Sequence, residues 1–298
     1  MEFGICMFAT DYSMQAADLA VAVEERGFDA LFIPDHTHIP ASRETPFIIG
    51  EELPLDYSHN VDMFLALTAA AAVTKRIRLG TGVCLVMERD PIITAKEVAS
   101  LDYISGGRLD FGIGGGWNRE EMENHGMPWE RRWRVVRERV EAMQAIWTQD
   151  EASYDGEFVK FDRIFSWPKP VQKPYPPIYV GGDAPGTFKR VLDYGTGWVP
   201  MLAEQENSFD LKTDRMSEFA AVARKAGHAA YPITTFGTPR DAAAITQLAV
   251  QGVNRCIFGI KAAPADDVLP RLDKISRLVA EVQSAGTWGA FLNNEKLK

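Results

Sequence analysis

The 298-residue sequence contains little cysteine and has fewer basic than acidic side chains. Its three cysteines, Cys6, Cys84 and Cys256, are too few and too widely spaced to form a disulfide framework. Lysine and arginine together number 32, whereas aspartate and glutamate number 41, which gives a net charge of −9. That balance argues against nucleic acid or an anionic membrane as the main partner, because both attract basic proteins.

Long hydrophobic runs are also absent from the sequence. The longest nearly apolar stretch, from Met63 to Val73, is shorter than the roughly 20 residues that a membrane-spanning helix needs. The first residues, Met1 to Ile5, lack the basic start of a signal peptide. Apolar residues make up 46% of the chain and charged residues 24%, as in ordinary globular proteins. We therefore expect a globular, cytoplasmic protein that does not act at a membrane.

Short apolar runs alternate with amphipathic stretches along the whole chain. The runs predict strands at 3–8, 30–33, 77–85, 108–113, 177–181, 197–200, 231–236 and 253–259. The amphipathic stretches predict helices at 13–26, 61–73, 90–106, 129–147, 186–194, 208–226 and 266–284, with a further helix start at 238–241. Eight strand-then-helix units predict a parallel (β/α)₈ TIM barrel of the α/β class.

Two segments fall outside the strand-helix repeat. Residues 34–60 form a long insertion after strand 2, and residues 151–176 form another after strand 4. The second contains Asp155-Gly156 between two apolar runs, which predicts a hairpin. Because no linker divides the chain, we expect residues 1–298 to be a single domain, with the insertions serving as lids or interfaces.

Active sites of such barrels lie at the C-terminal ends of the strands, so the search for function reduces to a few short windows. Asp35 and His36 follow strand 2, and glycine-dense windows lie in strand 3 at 80–83 and after strand 4 at 112–118. A further glycine window, 181–187, follows strand 5. We interpret it as a phosphate-binding site, and a tight turn without a ligand stays open as the alternative.

Two familiar cofactor and metal sites are disfavoured. Trp117 occupies the place of the last glycine of a dinucleotide fingerprint, which argues against a Rossmann site. His36 and His38 resemble the paired histidines of metal-dependent barrels, but none of the five histidines stands at the end of strands 5 to 8, where it could complete a ligand set. We expect no metal. His36 is then either a polar group that faces a bound ring or a structural loop histidine.

Taken together, five segments in this order resemble the luciferase-like monooxygenase superfamily, and within it the coenzyme F420-dependent oxidoreductases. The segments are GFDALFIPDH (27–36), RLGTGV (78–83), SGGRLDFGIGGGW (105–117), YVGG (179–182) and DYGTGW (193–198). Any one of them is a weak signal, whereas five in the correct order over nearly the whole chain are a strong one.

The resemblance implies a flavin or deazaflavin ring at the C-terminal ends of the barrel strands. It implies that Asp35 and His36 flank the ring and that a non-proline cis peptide within Thr81-Gly82-Val83 supports its back face. The ring's side chain would contact Gly114, Gly115, Gly116, Trp117 and Asn118. Its phosphate would contact Gly181, Gly182 and Thr187.

The activity implied is hydride transfer between coenzyme F420 and a small organic substrate, with His36 as a proton donor or acceptor near the reacting carbon. Two alternatives stay open. One is an FMN-dependent monooxygenase that uses oxygen and reduced flavin, with a flavin or F420 reductase as its partner. The other is a non-catalytic flavin-binding relative. The strand 3 glycines and the whole-chain similarity favour the deazaflavin, and family members commonly form homodimers.

The substrate is not identified by these residues. The insertion at 34–60 and the region of Trp167 are the expected walls of the substrate pocket. The window after strand 4 offers Gly116, Trp117 and Asn118 and no carboxylate, which disfavours oxidation of a sugar phosphate.

Overall fold

The computed structural model describes residues 1–47, 52–205, 208–210, 212–228 and 231–284. Eight parallel strands form one sheet. They are β1 (Glu2–Cys6), β2 (Ala30–Ile33), β3 (Arg78–Thr81), β4 (Leu109–Ile113), β5 (Ile178–Gly181), β6 (Gly197–Val199), β7 (Thr234–Phe236) and β8 (Arg255–Gly259). The sheet order is β7-β8-β1-β2-β3-β4-β5-β6. Parallel bridges from Trp198 to Ile233 and from Met201 to Phe236 join β6 to β7 and close the barrel.

Helices surround the barrel within the described residues. They are α1 (Ala16–Glu25), α2 (Met63–Val73), α3 (Pro91–Ser105), α4 (Arg119–Asn124), α5 (Arg132–Thr148), α6 (Thr187–Tyr194), α7 (Thr213–Lys225), α8 (Ala242–Val250) and α9 (Ala265–Ser284). None of these helices is both long enough and apolar enough to span a membrane. The (β/α)₈ architecture predicted from the alternating runs is confirmed.

Two predicted helix starts are wrong. Residues 208–210 form a short strand that pairs antiparallel with Ala203–Gln205, so α7 begins at Thr213 rather than at residue 208. The helix predicted from residue 13 begins at Ala16, because Ser13 closes a turn. Its hydroxyl oxygen accepts a hydrogen bond from the backbone N–H of Thr10 at 3.0 Å.

The hairpin predicted within 151–176 is confirmed. Its strands, Glu151–Asp155 and Lys160–Phe165, pair antiparallel, and the N–H of Gly156 donates to the carbonyl of Val159 at 2.8 Å across the turn. In the segment 34–60 a short 3₁₀ helix covers Leu55–Tyr57, whereas residues 48–51 lie outside the described residues.

The interior of the barrel is filled by one compact apolar cluster. It consists of Ala30, Phe32, Tyr179, Val199, Phe236 and Ile257, with Cys6 and Val83 packed on its upper side. Gly80 lets the Phe32 ring fit, because a Cβ at this position would lie 2.0 Å from a ring carbon. The cluster therefore forms a solid floor beneath the C-terminal mouth.

A buried ion-pair network closes the opposite end of the barrel. The carboxylate of Asp110, which is fully buried, accepts hydrogen bonds from Arg78 Nε at 2.8 Å and from Arg255 Nη1 at 2.7 Å. Arg255 also pairs with Glu2. These contacts tie β1, β3, β4 and β8 together at the end of a barrel that generally serves stability rather than catalysis.

We expect Asp110→Ala to lower the free energy of unfolding by about 3–5 kcal/mol, because it leaves Arg255 buried without its main carboxylate partner. Urea denaturation measures the change. Asp155→Ala is the control, since Asp155 pairs with Lys160 on the exposed hairpin and its removal should cost at most about 1 kcal/mol. Equal losses in the two variants would contradict this role for Asp110.

Candidate active site at the barrel mouth

Asp35 and His36, which follow β2, are both buried at the mouth but have different partners. The Asp35 carboxylate accepts hydrogen bonds from Arg89 Nε at 2.9 Å, from Arg89 Nη2 at 2.7 Å and from the backbone N–H of Leu85 at 3.1 Å. Both of its oxygens are thus occupied by the loop after β3. Asp35 fixes the chain immediately before His36, and a contact between its side chain and a ring stays a prediction.

The imidazole of His36 is held by Glu121 of α4. Nδ1 lies 2.8 and 3.0 Å from the two carboxylate oxygens, and both side chains are almost fully buried. Asn118 caps α4 by accepting the backbone N–H of Glu121 at 3.3 Å, which sets the direction of this carboxylate. A carboxylate can only accept hydrogen bonds, so the pairing favours the tautomer of His36 that carries its proton on Nδ1. Nε2 is then the nitrogen that can exchange a proton at the mouth.

Four aromatic side chains, Phe8, Phe47, Tyr57 and Trp117, form what we call the aromatic wall around His36. The His36 ring centroid lies 5.1 Å from that of Tyr57, 6.1 Å from Trp117 and 6.4 Å from Phe8. Phe47 packs edge-on against Tyr57 and Trp117. Burial raises the pKa of Tyr57 to about 12, so its phenol keeps its proton at neutral pH. The wall gives the mouth an apolar side next to one titratable ring.

The windows of β3 and β4 meet beside this wall. The peptide bond between Gly82 and Val83 is cis, which confirms the non-proline cis bond expected within 81–83. The hydroxyl of Thr81 donates to the carbonyl of Gly112 at 2.6 Å, so this buried side chain binds β4. Gly114 also packs closely here, because a Cβ on it would lie 2.6 Å from Val83.

The window after β5 has the features of an anion site. Gly182 and Gly186 adopt positive φ angles of 102° and 85°, and α6 begins at Thr187. The hydroxyl of Thr187 is buried and has no hydrogen-bond partner among the described residues. Arg190, one turn further, lies with its guanidinium 3.7 Å from the ring centroid of Trp133. A helix N-terminus with an unsatisfied hydroxyl and a nearby cation fits a phosphate group.

Asp183 is the one acidic side chain inside this window, and its charge is offset. Its carboxylate lies 3.0 Å from Lys212 Nζ, and its backbone carbonyl accepts a long hydrogen bond from Arg215 at 3.4 Å. Of the predicted contacts, Gly116 packs on the loop after β3, where a Cβ on it would lie 2.4 Å from Met87, and Gly115 packs on α5. A Cβ on Gly115 would lie 2.6 Å from the Trp133 ring, so the β4 loop packs directly on that helix.

Sequence reasoning missed two carboxyl groups of the mouth, Glu121 and Glu88. Glu121 follows Asn118 by three residues at a helix start, a capping pattern that could have indicated it. Glu88 ends a short 3₁₀ helix, Val86–Glu88, directly after the β3 window, where nothing in the sequence indicates that a charged residue is buried. Burial, then the charges of Glu121 and Asp35, raise the pKa of Glu88 to about 10.

The second histidine after β2 points away from the His36 pair. His38 contacts the hydroxyl of Thr37 at 3.0 Å through Nδ1 and the amide of Asn124 at 2.9 Å through Nε2. Within the ranges that the structure describes, no three His, Cys, Asp or Glu side chains are grouped so that they could hold a metal ion.

The sequence profile of the family described as luciferase-like monooxygenase matches residues 1–265. An uncharacterized protein of Mycobacterium tuberculosis is 38% identical over 286 residues, which cover 94% of this chain and 99% of that protein.

Solved structures share the fold. The monooxygenase RslO1 from Streptomyces bottropensis superimposes with a TM-score of 0.76 at 21% identity, covering 94% of this chain and 98% of its own. The coenzyme F420-dependent tetrahydromethanopterin reductase from Methanopyrus kandleri superimposes with a TM-score of 0.71 at 18% identity, covering 92% and 97%. The profile match over most of the sequence and the identity to the mycobacterial protein assign this chain to the luciferase-like monooxygenase family.

Proposed function

We propose that this chain is an oxidoreductase that transfers a hydride between coenzyme F420 and a small organic substrate. The observation that carries the proposal is the buried His36–Glu121 pair, which holds Nδ1 of an imidazole that lies among aromatic rings and leaves Nε2 as the nitrogen not bound to Glu121. The family contains F420-dependent reductases with this barrel, and the reductase of Methanopyrus kandleri is one. Bound at this mouth, the deazaflavin would supply hydride transfer at its C5 atom.

The protein's own part in the reaction is to handle a proton and to exclude water. Nε2 of His36 would give a proton to the substrate, or accept one from it, as the hydride moves in the same direction. Glu121 keeps the ring oriented through its contact with Nδ1. The aromatic wall would pack on the substrate and keep water away from the reacting atoms.

The residues present fit the anionic tail of such a cofactor. Gly181 and Gly182 leave the backbone accessible, and Thr187, at the start of α6, offers a buried hydroxyl that has no partner among the described residues. The residues from Gly114 to Asn118 would line the path between the ring and this anion site. Val83, packed on the apolar floor of the barrel, would support the ring from below.

FMN is the alternative cofactor, since a Baeyer-Villiger monooxygenase of Pseudomonas putida that was solved in complex with FMN shares this fold. In that case a separate flavin reductase would supply reduced FMN, and oxygen would be the second substrate. A non-catalytic flavin-binding relative is the remaining alternative. We favour the deazaflavin because the strand 3 glycines and the order of the five segments resemble the F420-dependent branch of the family.

Titration of the cofactor-free protein with coenzyme F420 and separately with FMN, followed by fluorescence quenching, tests the cofactor. We expect coenzyme F420 to bind more tightly than FMN. Thr187→Val should weaken that binding about tenfold, because the phosphate loses the hydrogen bond from the threonine hydroxyl. Thr246→Val is the matched control, since its hydroxyl only donates to the carbonyl of Ala242 within α8. Tighter binding of FMN would contradict the proposal, and binding of neither cofactor would favour the non-catalytic alternative.

His36→Ala tests the proton role. With reduced coenzyme F420 as donor and the quinone menadione as a general hydride acceptor, we expect the variant to lose about 100-fold or more in turnover. Its affinity for coenzyme F420 should change little, because Nδ1 faces Glu121 rather than the mouth. His38→Ala is the control, since that ring lies outside the pair. Wild-type turnover in His36→Ala would remove His36 from the mechanism.

We also propose that the protein forms a homodimer through α2 and α3. These adjacent helices expose large apolar side chains, among them Leu65 (69% exposed), Ile93 (60%) and Tyr103 (64%). An exposed apolar patch of this kind is typical of a protein interface, and a two-fold axis would place the same face of each copy on the other.

Sedimentation velocity tests this arrangement. We expect the wild type to sediment as a dimer and the double variant Leu65→Lys, Ile93→Lys as a monomer, because buried charges at the interface are unfavourable. Val250→Lys on α8 is the control, since Val250 is also exposed but lies on another helix of the barrel. A monomeric wild type, or a double variant that stays dimeric, would contradict the proposal.

A further inference from the structure

Three carboxyl groups are buried together at the mouth, and two of them have clear partners. Asp35 is paired with Arg89, and Glu121 is paired with His36. Glu88 differs, because neither of its oxygens receives a hydrogen bond from an N–H group or a hydroxyl among the described residues. Its exposed fraction is only 6%. A carboxyl group in this position must either carry an unpaired buried charge or keep its proton.

The surrounding charges favour the protonated form. Arg89, the next residue along the chain, uses its guanidinium on Asp35. Arg139 of α5 donates to the backbone carbonyls of Val86 and Arg89 at 2.8 and 2.6 Å. The charges of Arg89 and Arg139 both act on Glu88, but neither guanidinium donates a hydrogen bond to it among the described residues. An ionised Glu88 would therefore be a second anion beside Glu121 without a hydrogen-bond donor, which is unfavourable in a buried position.

The neighbouring elements bring acidic groups as well as cations close to Glu88. Asp35, at the end of β2, raises the pKa of Glu88 through its charge, as Glu121 of α4 does, whereas Arg89 lowers it by a smaller amount. On α3, Glu97 lies 4.0 Å from Arg89 and draws on the same guanidinium. Glu121 is the neighbour whose charge acts most strongly on Glu88, and its carboxylate can accept a hydrogen bond from a protonated Glu88.

We propose that Glu88 keeps its proton at neutral pH and donates it in a hydrogen bond to Glu121, which makes Glu88 a positioning residue for His36. The Glu121 carboxylate is then held from two sides, by the hydroxyl of Glu88 and by Nδ1–H of His36. A single negative charge faces the imidazole, so His36 stays able to exchange a proton at Nε2. The catalytic consequence rests on the proposed function, whereas the hydrogen-bond chain does not.

Infrared spectroscopy of the cofactor-free protein tests the protonation directly. At pH 7 we expect a carbonyl stretch from a protonated carboxyl group that is lost in Glu88→Gln. Glu97→Gln is the matched control, because Glu97 is half-buried and its pKa is also raised, and the Glu88 band should survive in it. Absence of a protonated carboxyl band, or its persistence in Glu88→Gln, would overturn the proposal.

The pH dependence of stability provides a second test, because a raised pKa of Glu88 requires stability to fall as the pH rises. The pKa of Glu88 is higher in the folded protein than in the unfolded chain. Its contribution to stability is therefore complete below the usual pKa near 4.5 and falls as the pH rises towards about 10. Glutamine does not titrate, so between pH 5 and 9 the melting temperature of the wild type should fall relative to that of Glu88→Gln. Parallel curves would overturn the proposal.

The positioning role is tested by nitrogen-15 NMR of histidine-labelled, cofactor-free protein. We expect the Nδ1 proton of His36 to exchange with water about tenfold faster in Glu88→Ala than in the wild type, since Glu121 loses one of its two donors. Glu88→Gln, whose amide can still donate, should restore slow exchange. Because no cofactor or substrate is used, failure of the proposed function would leave these results intact. Equal exchange rates in the wild type and Glu88→Ala would overturn the positioning role.

Discussion

The candidate site depends on one buried hydrogen bond, the one between His36 Nδ1 and Glu121. A carboxylate in a water-poor environment needs donors, and an imidazole in the same place needs a group that fixes its tautomer. Each residue meets the need of the other, and the pairing leaves Nε2 facing the mouth. The Asn118 cap, the Asp35–Arg89 ion pair and the aromatic wall all act by holding this bond in place.

The ion pairs that stabilise the barrel and the residues of the candidate site lie at opposite ends of the strands. At the N-terminal end of the strands Asp110 binds two arginines that come from β3 and β8, so its charge is fully compensated. At the C-terminal end the polar groups are only partly satisfied, because the oxygens of Glu88 and the hydroxyl of Thr187 have no hydrogen-bond partner in the part of the chain that the structure describes. Unsatisfied polar groups reduce stability, and their concentration at one end is typical of a site that binds a ligand.

The sequence predicted the architecture well because apolar runs and helix signals are local. All eight strands, the hairpin at 151–176 and the cis bond before Val83 are confirmed by the structure. What the sequence did not predict depends on contacts between distant residues. The partner of His36 lies 85 positions away on α4, and the burial of Glu88 follows from how α5 covers the loop after β3. Neither the His36–Glu121 contact nor the burial of Glu88 produces a sequence pattern within a single segment.

The chain belongs to the luciferase-like monooxygenase family, and the central claim of our proposal is that a flavin or deazaflavin ring binds at the barrel mouth. A crystal structure of the protein grown with coenzyme F420 tests it most directly. We expect the ring to lie above Val83 with one edge beside His36 Nε2, and the phosphate to contact Thr187. A mouth filled by the aromatic wall, or a ring bound elsewhere on the barrel, would contradict the account.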